Sequence, residues 1–423
     1  MKGLPFLLAG LLVLPSCEKY TLNRVYRAEA LSSHGHRGRD TSSVLEGKQL
    51  SDTSVYVVAV VVPESYDWRK DPSFGAVGCT VQLWKDNELQ FSSEAGPGAD
   101  IGTSPDSHHL AGGHLYTEKT SEEGTTICCD GKVVLRYGQR EQLKGLLVKE
   151  GRIYTLGRNL DGGGFCFRRD GEPLLKRDSG EIFGDFSHPL YGRGGALYEN
   201  EGAVCFSFRN AASCYCVVDG NMKNVGMVSS ASRVRDLRLL GGDVYYISDY
   251  TTSMVVTGPS GSQALPSTAK WLNAELLARA DGVWACAESE DRTLCTTLGP
   301  HGRSVLLFGA GNLIYSGASE FFALGYDGGN FRIIKPPGNV IYSRDSTFLL
   351  STSALAFAGD EPFALVNPKE KDANPFVWSG GKKTEFRMNG YLTAIEVEVS
   401  LPRSRCGSRP AAPRFAREEP LPE

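Results

Sequence analysis

The densest group of chemically capable side chains is the segment PESYDWRKDPSFGAVG at 63–78, which sets Tyr66, Asp67, Trp68, Arg69 and Asp71 almost side by side. Aromatic rings beside carboxylates and a guanidinium suit a sugar or peptide, with stacking on the rings and paired hydrogen bonds at the edges. The alternative is that YDWRKD folds over and seals one end of the fold, with Trp68 buried. Arg158 and Asp161, in GRNLDGGG, offer a second polar pair for the same ligand. Asp67, Asp71 and Asp161 also supply carboxylates for acid/base cleavage of a polysaccharide, a chemistry that depends on a defined separation.

A second concentration, DSHHLAGGH at 106–114, gathers Asp106, His108, His109 and His114, all metal-ligand types. On a strand, however, His108 and His109 point to opposite faces, and His114 lies across a Gly-Gly turn, so a structural or solvent-facing role is expected. There is no G-x-S-x-G elbow, no H-E-x-x-H and no glycine-rich phosphate loop. The 11 cysteines include no C-x-x-C pair and sit mostly within apolar runs, which reads as packing rather than ligation. Neighbouring strand residues diverge, which disfavours a Cys128–Cys129 bond. No catalytic residue, metal or cofactor is expected.

These side chains need a frame, and composition narrows it. The chain has 423 residues, 41% hydrophobic and 22% charged, enough apolar material for a substantial core. A formal net charge of -4 argues against a nucleic-acid partner, which needs a concentrated basic face. With 49 glycines and 21 prolines, many turns are expected rather than long helices.

The frame itself is a repeat. VYVVAVVV, HLYTEK, RIYTLG, AVCFSF, DVYYIS, GVWACA, EFFALG and EPFALV align on Val55, Leu115, Ile153, Val204, Val244, Val283, Phe321 and Phe363. Five of the intervals hold near about forty residues and two carry insertions. A turn marker runs in phase with them: Asp86-Asn87, Asp130-Gly131, Asp170-Gly171, Asp219-Gly220, then glycine-flanked loops through Gly380-Gly381. Asp-Gly and Asp-Asn suit the positive φ angles of two-residue hairpins. Four strands per repeat predict an all-β fold, a β-propeller of four-stranded antiparallel blades, because one such sheet buries its faces only against neighbours around a common axis. Eight blades are expected, with seven the alternative. The chain enters at the second strand of the first blade, and YLTAIEVEVS at 391–400 returns to supply the missing inner strand. The propeller is thus expected over 54–400, followed by a Pro/Arg-rich disordered tail at 401–423.

The N-terminus reads as an export signal: Lys2, an apolar run from Leu4 to Leu14, then Leu14-Pro15-Ser16-Cys17. LPSC resembles the lipobox of bacterial lipoproteins, which implies a signal at 1–16, acylation of Cys17 and anchorage in a lipid bilayer. Residues 17–53 then form the lipidated Cys and a polar tether. With YDWRKD, GGHLY, RIYTLG and the Asp-Gly turns, the chain resembles β-propeller lipoproteins of Bacteroidota, many without assigned activity. That resemblance implies a cell-envelope location, at the outer membrane. The expected function is a binding or scaffold module for a glycan, peptide or envelope protein. A polysaccharide hydrolase or lyase and a structural subunit of an outer-membrane assembly are the alternatives.

Overall fold

A computed structural model describes residues 53–399, apart from 71–77, 96–107, 185–194, 228–232, 266–270, 299–304, 349–353 and shorter internal stretches. The expected signal, Cys17, the tether, the C-terminal tail and Asp71 lie outside the described residues. Eight antiparallel sheets follow one another along the chain. Blade 1 contains Thr53–Val61, Cys79–Lys85, Glu88–Ala95 and the C-terminal strand Gly390–Val399. Blades 2 to 8 occupy 108–137, 141–177, 181–227, 233–265, 271–309, 312–344 and 347–385. Gly390–Val399 pairs with Thr53–Val61 as the innermost strand, so the two ends of the ring form a seam within one sheet. The segment around Trp271–Arg279, helical in composition, is the inner strand of blade 6.

The in-phase turn aspartates have a structural task. Asp86, Asp130, Asp170 and Asp219 adopt φ between 44° and 51° and follow the third strand of their blades. Each Oδ1 accepts the N–H of the aligned second-strand residue: Val55 at 2.7 Å, and Leu115, Ile153 and Val204 at 2.9 Å. Each aspartate N–H donates back to that same residue's carbonyl. One side chain therefore continues the ladder past the end of the strand and satisfies a terminal backbone donor.

The inner strands face a related problem, because their channel-side edges expose backbone donors. Side chains of the preceding blade take several of them. Glu118 accepts Leu143 N–H at 2.9 Å, Tyr198 Oη accepts Leu239 N–H at 2.9 Å, and Asp236 accepts Leu276 N–H at 2.8 Å. Asn367 accepts Leu392 N–H at 2.8 Å and returns a bond to Leu392 O.

Two features depart from the simple repeat. The inner strand of blade 4 is in two pieces, Glu181–Ile182 and Tyr198–Asn200, both paired with Ala203–Asn210. Blade 8 repeats this with Thr347–Phe348 and Leu355–Ala358. The stretch that follows blade 3 thus contains a piece of inner strand, Glu181–Ile182. Between blades, the apolar faces fuse into a core, most extensive where blade 7, blade 8 and the closing strand meet. Among the described residues no helix is long and apolar enough to cross a membrane.

Candidate functional site

The connections between second and third strands, and from blade to blade, share one face of the ring. At the seam three of them meet: 62–70 from blade 1, 369–375 from blade 8, and 386–389 before the closing strand. Asn389 Nδ2 donates to Pro63 O at 2.7 Å and to Tyr66 O at 2.9 Å. Val62 N–H donates to Asn389 O at 2.9 Å, and Arg69 Nη2 donates to Ala373 O at 2.9 Å. The three loops therefore hold one another in place.

Trp68 is the pivot of this arrangement, and its burial follows the reading in which the segment seals one end of the ring rather than the one in which it presents an exposed aromatic plate. Its side chain is 0% exposed, in an apolar cluster with Val60, Val62, Cys79 and Tyr391. Tyr391 and Phe348 lie 5.4 and 5.6 Å from it between ring centroids, and Arg69 caps it at 4.5 Å. The indole is drawn inward because a chain reversing over the seam must cover the apolar ends of the strands beneath. Partial burial holds the Arg69 pKa below its usual value, against the pull of Asp67, Asp372 and Glu370. What faces solvent is polar and of mixed sign: Glu64, Lys70, Glu370, Lys371, Asp372 and Arg387. Asp67 is half-buried and pairs with Lys70 at 3.4 Å, while Tyr66 is partly covered by the Trp68 cluster.

Arg158 and Asp161 stand on the corresponding loop of blade 3, away from the seam. Asp161 is exposed and pairs with Arg140 at 3.2 Å, and Arg158 is exposed at the end of its strand. The expected site residues thus divide between the seam and blade 3.

The sequence reading missed a carboxylate group at the junction of blades 2 and 3. Glu141, fully buried, pairs with Arg168 at 2.8 Å, and Arg168 lies 4.4 Å over the Tyr137 ring. Glu141 Oε2 has no hydrogen-bond partner among the described residues and occupies space left by Gly157, whose added Cβ would lie 2.3 Å from it. Nearby Glu118 is pushed up to about 7 by burial, opposed by the Leu143 N–H and Thr120. Such shifted carboxylates mark catalytic clefts in many enzymes. Here Glu118 caps a strand edge as Asp236 and Asn367 do at their own junctions, while the Glu141 side chain pairs within blade 3 and its backbone bonds to Thr120 and Thr125 of blade 2. Burial raises Glu141 as well, against the hydrogen bond from Arg168.

A third group lies on the opposite face of blade 2. His114 Nδ1 is 2.6 Å from Asp130 Oδ2, and Cys129 completes a set of donor atoms all within 4.8 Å of one another. From the segment at 106–114, His114 enters it. His108 and His109 belong to the short inner strand His108–Ala111, and Asp106 lies outside the described residues. Sequence spacing hides this convergence, because it depends on the register pairing His114–Ser121 with Gly124–Cys129. Cys128 and Cys129 are both free thiols, like the other described cysteines.

No known family's sequence profile matches the chain, and no curated protein matches its sequence. Among solved structures, dihydro-heme d1 dehydrogenase NirN in complex with DHE superposes with a TM-score of 0.48 and 11% identity, over 80% of this chain and 74% of that one. AztD from Citrobacter koseri gives 0.44 and 13%, over 83% of this chain and 100% of the other. A eukaryotic initiation factor gives 0.43 and 12%, over 76% and 85%. Likeness at this level carries nothing about ligand or reaction. The count of eight blades rests on the strand pairing within this chain.

Proposed function

We propose that this protein is a lipid-anchored lipoprotein of the bacterial cell envelope, at the outer membrane, whose propeller is a binding or scaffold module. Its partner is a glycan, a peptide or an envelope protein engaged through the loop face at the seam. The observation that carries this reading is the three-loop platform, in which Asn389, Arg69 and Trp68 fix the loops from beneath. A surface already ordered before binding loses less conformational entropy on association. Its mixed charges favour a partner recognised by paired polar contacts rather than one drawn in by a single net charge. The Leu14-Pro15-Ser16-Cys17 sequence supports the anchor, and acylation of Cys17 would leave the ring facing outward on its polar tether.

In this reading Tyr66, Asp67, Arg69 and Lys70 meet or orient the partner, while Trp68 supports the platform without touching it. The test is binding of the purified chain to glycan and peptide arrays, followed by affinities for the strongest binders. Asp67→Asn combined with Lys70→Glu should weaken binding at least tenfold with no change in melting temperature. Trp68→Ala should lower both affinity and melting temperature, with a stability loss of about 3–5 kcal/mol for an emptied aromatic site. Binders that ignore the double variant would show that the seam platform is not the recognition surface.

A further inference from the structure

We infer that His114, Cys129 and Asp130 form a surface site for a divalent transition-metal ion, zinc in its ordinary chemistry, on the turn face of blade 2. The three side chains provide one imidazole nitrogen, one sulfur and one carboxylate oxygen, with donor atoms mutually within 4.8 Å. Zinc binds such mixed sets at about 2.0–2.3 Å, usually with four ligands, and three protein ligands leave a position for water.

The repeat supplies an internal control. The turn aspartate is present in blades 1 to 4, always with Oδ1 held by a second-strand N–H. Its two neighbours change from blade to blade. At the positions of His114 and Cys129, blade 1 has Ser54 and Lys85, blade 3 has Arg152 and Arg169, and blade 4 has Ala203 and Val218. In blade 3, Arg152 pairs with Asp170 at 2.7 Å, an ordinary surface ion pair. Only in blade 2 are both positions filled by metal-ligating side chains, although strand stability asks for neither of them.

The site is also held in place. Asp130 is fixed through Oδ1 by Leu115 N–H at 2.9 Å, which turns Oδ2 toward His114. Gly113 and Gly131 flank the ligands at positive φ, and an added Cβ would fall 2.6 Å from the Tyr56 ring and 2.7 Å from the Phe91 ring. Both turns therefore sit against blade 1, so the donors rest on packed backbone rather than on a loose loop. His114 is 57% exposed, which leaves the ion open to solvent and to exchange. On binding, the Cys129 thiol proton passes to solvent, and the imidazole proton moves from Nδ1 to Nε2 as Nδ1 takes the metal.

The full-length, reduced and tag-free chain should be titrated with Co²⁺ alone and followed by absorption. A thiolate-to-cobalt charge-transfer band is expected, abolished by stoichiometric Zn²⁺. His114→Ala and Cys129→Ser should each weaken binding at least tenfold, whereas Cys128→Ser, one residue away, should leave it unchanged. In the unmodified chain, Zn²⁺ should slow iodoacetamide alkylation of Cys129 at least tenfold and spare the rate at Cys128, a readout independent of how the variants fold. A chain without the charge-transfer band, a band retained in Cys129→Ser, or alkylation of Cys129 indifferent to Zn²⁺ would each overturn the site.

Discussion

Glu118 shows how a single side chain links the ring to pH. Burial raises its carboxyl from 4.5 to about 7, so the folded state holds this proton more tightly than the unfolded chain does. Its contribution to stability is therefore complete below about pH 4 and is lost as pH rises through about 7. Glu118→Gln keeps an acceptor for Leu143 N–H and removes the titration. Denaturant midpoints measured across that range should show the wild-type chain losing on the order of 1–3 kcal/mol relative to the variant as pH rises. Parallel curves for the two proteins would mean that Glu118 is not buried at the junction of blades 2 and 3. The neighbouring Glu141–Arg168 pair, within blade 3, costs desolvation energy too, and it holds the guanidinium over the Tyr137 ring of blade 2.

At the scale of strands and turns, the aspartate after the third strand explains why Asp-Gly and Asp-Asn recur. The positive φ makes the hairpin, and the carboxylate extends the ladder to the second strand. Asp219→Ala should destabilise the chain by about 1–3 kcal/mol, because Val204 N–H loses its acceptor in a crowded setting. Asp219→Asn, which retains an acceptor oxygen, should lose much less, and urea denaturation of the two variants side by side gives the comparison. Equal losses would assign the effect to the turn geometry alone. This is the level at which the sequence was most legible: β-branched runs and turn residues share a period, and the eight aligned residues from Val55 to Phe363 all fall on second strands. Split inner strands were not legible, since a two-residue piece such as Glu181–Ile182 carries no pattern of its own. The direction of Trp68 was equally hidden, because a loop lacks the alternation that sorts buried from exposed. His114, Cys129 and Asp130 come together only through strand register, which composition does not encode.

For the whole molecule, closure decides stability and function together. The seam strand gives Thr53–Val61 its inner partner, and the same return of the chain carries Asn389 under the 62–70 loop. Gly390 marks how closely the ends fit, since an added Cβ would lie 2.1 Å from Val60 O. The ring and the proposed recognition surface are then one cooperative unit: without the last strand, Thr53–Val61 loses a partner and the platform loses its support. Hydrogen–deuterium exchange on the full chain and on a chain lacking residues 390–423 tests this most directly. The account predicts that 53–61 and 62–70 are protected together in the full chain and lose that protection together in the shortened one. Unchanged protection of 53–61 after the deletion would contradict the closed ring.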